Sequence, residues 1–193
     1  MLAQRNNLYP VFLKVRNLQV LIVGGGNVAH EKLMFLTKSS PDAQVEMIAP
    51  FFREGTLALA KEFNVKITEG SYEKSQLEKR HVVIATTDSP EVNKQVYEDA
   101  RERYLLCNIA DVPELCDFYM GGIVTKGNVK IAISTNGKSP TMAKRLRQFF
   151  EDVIPENIDD LVQNLNRYRK TLKGGFEEKV DQLNAFTKSI VEK

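Results

Sequence analysis

The chain has no tryptophan, two cysteines and two histidines in 193 residues. Cys107, Cys116, His30 and His81 are too few and too scattered for a structural zinc site, so no metal site is expected. Two cysteines without a spacing pattern suit a reducing, cytoplasmic setting, and each reads as a small apolar core residue. Charge of one sign is also lacking. Lys and Arg number 27 against 25 Asp and Glu, a net of +2, which supplies no global basic field for nucleic acid. No apolar run approaches the roughly 20 residues of a membrane span. The N-terminal MLAQRNNLYPVFL lacks the long apolar core and small-residue cleavage site of a secretory signal. There is no internal repeat and no low-complexity segment. The length suits one good core and a smaller second unit.

What is present is alternation. Short Val/Ile-rich runs at 18–23, 44–49, 65–68, 81–86 and 104–109 read as strands. Helical patterns lie between them at 27–38, 53–62 and 90–103, the last with Ser89 as cap and Pro90 in the first position. Such βαβ alternation implies a parallel sheet with helices on both faces. After Asp111 the pattern changes. Residues 118–125 and 129–135 read as two strands of a hairpin around Lys126-Gly127-Asn128. NGKSP then opens a helix, with Ser139 as cap and Pro140 inside it. From about Pro155 the chain is charged and helical, split in two at Gly174-Gly175. The fold class expected is therefore α/β: a Rossmann-type parallel sheet, a small α+β region and a helical C-terminus. The segments are 1–112, 113–150 and 151–193.

Between the first strand and first helix stands Gly24-Gly25-Gly26-Asn27-Val28-Ala29, a G-x-G-x-x-A turn. In that context Gly24 permits the tight turn, Gly26 the approach of a pyrophosphate, and Ala29 close helix packing. The helix start adds free N–H groups and positive potential. One usual feature is missing. The second strand ends Met47-Ile48-Ala49-Pro50, with no acid for the ribose hydroxyls. Glu46 lies within the strand and is expected to face solvent. These residues alone leave NAD and NADP open. Thr86 and Thr87, at the carboxyl end of the fourth strand, suit either the nicotinamide side of a ligand or loop capping.

Asp111 follows the fifth strand. It suits a proton acceptor beside a cofactor's reactive ring, or a turn residue before Val112-Pro113. Ser134, Thr135, Lys138 and Ser139 gather at the start of the next helix, which adds Lys144, Arg145 and Arg147 before the first acid, Glu151. Hydroxyl and ammonium donors at a helix start suit a polycarboxylate; a solvated basic face remains the alternative.

YPVFL, VLIVGGGNVAHEK, ATTDSPEVN, CNIADVPELCDFYM and ISTNGKSP stand in this order. Together they resemble the precorrin-2 dehydrogenase family, which includes the N-terminal module of siroheme synthase and stand-alone dehydrogenase/ferrochelatases. The resemblance runs from Tyr9 to about Pro155, and ISTNGKSP before a basic helix is its most specific element. It implies NAD bound by Gly24, Gly25, Gly26, Asn27 and Val28 and at Pro50-Phe51, without an acidic strand end. It implies that Asp111 is the catalytic aspartate, that Thr135 lies near a tetrapyrrole, and that the chain forms a homodimer through the hairpin and following helix. Departures are His30-Glu31, expected on the outward part of the helix, and the lack of proline after Met120. The tail matches poorly, and with no methyltransferase domain following, the chain is not expected to make precorrin-2 itself.

The expected reaction is NAD-dependent oxidation of precorrin-2 to sirohydrochlorin. Asp111 would take the proton, Lys138, Ser139 and the helix start would hold the carboxylates, and the substrate would lie between the sheet's edge and the hairpin. The same carboxylate would assist ferrous-ion insertion. Two other classes compete: a regulatory nucleotide-binding module of the potassium-channel type, and a tetrapyrrole chelatase or carrier without dehydrogenase activity. Neither nucleic acid nor membrane is an expected partner.

Overall fold

The computed structural model describes residues 6–188; the outer ends of the 1–112 and 151–193 segments lie outside them. The elements are β1 (Gln19–Val23), α1 (Asn27–Ser39), β2 (Gln44–Ala49), α2 (Glu54–Glu62), β3 (Lys66–Glu69), β4 (Val82–Ala85), α3 (Pro90–Glu102), β5 (Leu106–Ile109), β6 (Gly122–Lys126), β7 (Val129–Ile133), α4 (Pro140–Val153), α5 (Ile158–Thr171) and α6 (Phe176–Thr187). Two compact units result. One runs through Gly121 and takes in Asn136–Lys138; the other comprises Gly122–Thr135 and the chain from Ser139.

In the first unit five parallel strands lie in the order β3-β2-β1-β4-β5. The chain winds outward from β1 to β3 and then crosses to β4 and β5. The order therefore reverses between β1 and β4, the place where such sheets receive ligands at their carboxyl ends. Alternate residues of one strand feed two cores. Val20 and Ile22 pack with Ala29, Leu33, Met47 and Ala60. Leu21 and Val23 pack with Ile48, Val83, Val96 and Ala100 on the opposite face. Burial on both faces is why these strands read as unbroken apolar runs.

Four local expectations differ from the structure. Glu46 does not face solvent: it is 9% exposed and bonded to Arg80, Lys66 and Thr68. Arg80 projects from the loop before β4, a partner that strand periodicity does not reveal. The residues 118–121 are not strand, and β6 starts at Gly122. Asp117 instead donates its N–H to Cys107 O at 2.8 Å, accepts the Cys107 N–H at 3.0 Å and pairs with Arg101. Phe118 and Met120 then turn onto the first core. His30 is not outward: its Nδ1 is buried on the side facing Gly55. Cys107 is buried as expected, whereas Cys116 is only half-buried.

The second unit begins with the antiparallel β6–β7 pair. Its two-residue loop has Gly127 at φ +57°, and Asp159 of α5 accepts from Asn128 N at 2.7 Å and Nδ2 at 2.8 Å. Ser139 caps α4, its Oγ accepting from Met142 N at 3.2 Å, with Pro140 in the first turn. Met142, Leu146, Phe149 and Val153 form an exposed apolar stripe along α4. Tyr168 of α5 meets Phe186 of α6 with ring centroids 5.5 Å apart.

Candidate functional site

The three glycines after β1 do different work. Gly24 has φ +130°, and a methyl there would lie 2.3 Å from Thr86 Oγ1. At Gly25 a methyl would lie 2.1 Å from Phe51 O. Gly25 O also accepts from Arg53 N at 3.1 Å and from the buried Thr56 Oγ1 at 3.2 Å. These two residues thus pin the turn to the ends of β4 and β2. At Gly26 a methyl would meet nothing within 4 Å. Gly26 is the N-cap of α1, has no side-chain cap and is followed by no acid in the first turn. An open approach to uncapped N–H groups is what a pyrophosphate requires. Asn27 and Val28 open the helix, and Ala29, fully buried, brings it against the sheet. The residues present therefore fit a dinucleotide.

Past β2, Pro50 and Phe51 are exposed, the latter by 71%, while Phe52 turns into the core. Phe51 thus offers a free aromatic face beside the glycine turn. Thr86 and Thr87 are more occupied than a ligand-binding role requires. Thr86 is buried and its Oγ1 donates to Val23 O at 3.0 Å. Thr87 Oγ1 lies 2.8 Å from Asn93 Oδ1, and Asn93 Nδ2 returns a bond to Thr87 O at 2.9 Å. Both threonines shape the loop over β4. Asn93, 8% exposed, is the residue that closes that loop. Its polar side chain on the inner face of α3 was the available signal.

Asp111 is exposed, in a turn closed by Val112 N to Ile109 O at 3.3 Å. Its φ is +62°, the region where a non-glycine residue is held rather than relaxed. β5 is the second strand from β1, so at the spacing of strands the turn stands about 10 Å along the carboxyl edge from the glycines. Beneath it, Asn108 is 5% exposed and donates to Phe118 O at 2.8 Å and to Cys116 Sγ at 3.4 Å. Burial pushes the Cys107 thiol up to about 12 and raises that of Cys116 as well. Neither is a ready nucleophile. Among the described residues no cluster of three His, Cys, Asp or Glu side chains suits a metal, and no helix is long and apolar enough to cross a membrane.

Of the remaining four residues, Lys138 groups with the first unit and Ser134, Thr135 and Ser139 with the second. Thr135 Oγ1 takes the Ser139 N–H at 3.2 Å and lies 3.1 Å from Ser139 O. With Ser139 Oγ capping α4, both hydroxyls have structural work. Lys138 is exposed in a loop where Asn136 and Gly137 have φ +56° and +73°.

Residues 11–122 match the family described as putative NAD(P)-binding. Residues 126–152 match the one described as sirohaem biosynthesis protein central. The siroheme synthase of Nitrosococcus oceani is 37% identical over 164 residues, covering 85% of this chain and 35% of that one. That of Pseudoalteromonas translucida is 37% identical over 173 residues, covering 90% and 34%. The chain thus spans about a third of the length of these relatives. Among solved structures, SirC, a precorrin-2 dehydrogenase, superposes with a TM-score of 0.73 at 21% identity, covering 96% of this chain and 90% of that one. At that identity the likeness is one of fold.

Proposed function

The chain belongs to the putative NAD(P)-binding family, and from that premise we propose that it oxidises precorrin-2 to sirohydrochlorin with NAD in siroheme biosynthesis. The observation that carries the reading is the third glycine. Gly26 leaves open space at an uncapped helix start, while Asp111 stands at the same edge of the same sheet. The siroheme synthase relatives and the precorrin-2 dehydrogenase fold point to the substrate.

Bound NAD supplies the hydride acceptor. Gly24 and Gly25 keep the turn tight, and the N–H groups of Asn27 and Val28 receive the phosphates. Pro50 and Phe51, both exposed beside the glycine turn, would add an apolar contact to the bound dinucleotide. Thr86 and Thr87 shape the closed β4 loop by their own internal bonds, and that loop would border the nicotinamide side. Asp111 accepts the proton that leaves the substrate carbon skeleton. Lys138 would receive substrate carboxylates, presented by a turn that Ser134, Thr135 and Ser139 shape at the start of α4. In this partition the segment 1–112 binds cofactor, 113–150 serves substrate and dimer formation, and the segment 151–193 is an appendage whose described residues are mainly helical.

The exposed stripe of Met142, Leu146, Phe149 and Val153 supports a homodimer through α4, since apolar residues repeating along one helix face need a partner. Ferrous-ion insertion is a second activity of the same site. It needs a base for the pyrrole protons, which Asp111 supplies, and no resident metal cluster.

The test is anaerobic. Protein, enzymatically generated precorrin-2 and NAD are mixed, and sirohydrochlorin and NADH are followed by absorbance. Product that requires both protein and NAD supports the reading, and added ferrous ion then tests insertion. Binding of NAD without turnover would favour a regulatory module; metal insertion without NADH would favour a chelatase. Sedimentation of wild type and Phe149→Glu tests the dimer.

A further inference from the structure

The Asp111 loop is held from below by side chains that the proposed chemistry does not use. Asn108 lies on β5 with its side chain in the interior, in a strand otherwise made of Leu106, Cys107 and Ile109. A buried amide at that point needs partners, and it finds them across the loop: Phe118 O at 2.8 Å and Cys116 Sγ at 3.4 Å. The Cys116 thiol in turn lies 3.2 Å from Ile109 O and 3.3 Å from Val112 O. Those two carbonyls belong to the first and last residues of the turn that contains Asp111. The sulfur therefore sits inside the turn, fixed by the amide beneath it. Asp111 itself holds a left-handed backbone conformation at φ +62°, which persists only where the surroundings over-determine it.

We propose that Asn108, anchored by the Phe118 carbonyl, is a positioning residue for Asp111, acting through the Cys116 thiol to keep the turn in its strained form. The inference rests on Asp111 being the proton acceptor. A base displaced by an ångström loses much of its effectiveness even when its own chemistry is intact.

The experiment is a mutant cycle on the full chain, read as kcat and KM for precorrin-2 with dinucleotide affinity measured separately by titration. Asn108→Ala is expected to lower kcat roughly ten- to a hundredfold while KM and the NAD dissociation constant stay within about twofold. In an Asp111→Asn background the same change should alter the residual rate by less than about twofold, because two residues acting through one group are not additive. A parallel pair covers the case in which Asn108→Ala fails to fold. Cys116→Ser keeps a donor inside the turn and should retain most of kcat; Cys116→Ala should lose it. An equal loss from Asn108→Ala in both backgrounds overturns the proposal, as does a rise in KM at constant kcat, or equal rates for Cys116→Ser and Cys116→Ala. Asp111→Asn with wild-type turnover overturns it together with the role of Asp111. Wild-type protein without turnover removes the dehydrogenase reading itself.

Discussion

Replacing Asp111 by asparagine separates chemistry from folding more cleanly than replacing it by alanine. The backbone there has φ +62°, and a β-carbon in the left-handed region costs about 1–2 kcal/mol. Asparagine bears that conformation better than most residues; alanine has no side-chain bond to offset it. Asp111→Asn should therefore leave stability within about 0.5 kcal/mol of wild type, whereas Asp111→Ala should lose about 1 kcal/mol. In a chain of this size that loss lowers Tm by about 2–4 °C. The catalytic cost is of another order. Removing a positioned general base costs a factor of about 10²–10⁴, or about 2.7–5.4 kcal/mol of barrier. Anaerobic stopped-flow measurement of NADH formation with precorrin-2, alongside thermal melts of both variants, reads the two quantities separately. Asp111→Asn that melts with wild type and keeps more than about a tenth of its turnover would refute the assignment.

The glycine turn yields opposite expectations two residues apart. Gly24→Ala places a methyl against Thr86 in a conformation only glycine adopts readily and should destabilise the fold by more than about 2 kcal/mol in denaturant titration. Gly26→Ala, which meets nothing, should cost only the N-cap preference of glycine over alanine, no more than about 1 kcal/mol, yet bind NAD at least roughly tenfold more weakly by calorimetry. Tyr104, 96% exposed at φ +56° after α3, occupies the position where helices favour glycine; Tyr104→Gly should raise stability by up to about 1 kcal/mol in the same titration. Burial pushes the Glu46 carboxyl up, but bonds from Arg80, Lys66 and Thr68 and the Arg80 charge outweigh it and hold it below its ordinary 4.5. Its contribution is then complete above that value and drains as pH falls through the lower native one. Glu46→Gln should flatten the acid limb of a Tm–pH curve below about pH 4.5, and an unchanged limb would count against the pairing.

Much of the parallel sheet was legible because its strands are covered on both faces: Leu21, Ile22 and Val23 in one run can only be interior. Ser89 and Ser139 announced their helices, since a hydroxyl before proline at a helix start has few other uses. The glycine turn was legible as a type, but not its division of labour; which glycine touches Thr86, which touches Phe51 and which touches nothing is a matter of tertiary placement. The same limit hid Glu46, whose partner Arg80 comes from 34 positions along the chain. Phe118 looked like strand because apolar residues beside a hairpin usually are. Asp117, one position earlier, diverts it by bonding Cys107, and aspartate beside cysteine carries no pattern that says so. Thr135 and Ser139 were legible as polar groups near a helix start; that the Thr135 hydroxyl bonds the Ser139 backbone while the Ser139 hydroxyl caps α4 was not. Asn108 gave a faint signal, a lone amide in an apolar strand, which spacing alone does not connect to Asp111.

The Asp117–Cys107 pairing has a consequence for how the protein behaves in a crowded solution. β5 is the last strand of its sheet, and an open edge is a template onto which a strand of another chain can add. Asp117 occupies the outward N–H and C=O of Cys107 with its own N–H and carboxylate, and the charge it brings makes that edge a poor seed for sheet growth. One residue thus blunts the border of a sheet whose interior strands are continuous apolar runs. Loss of the Asp117 carboxylate would free the Cys107 N–H and the Arg101 charge together, so precipitation at high concentration or during refolding would accompany a loosened edge.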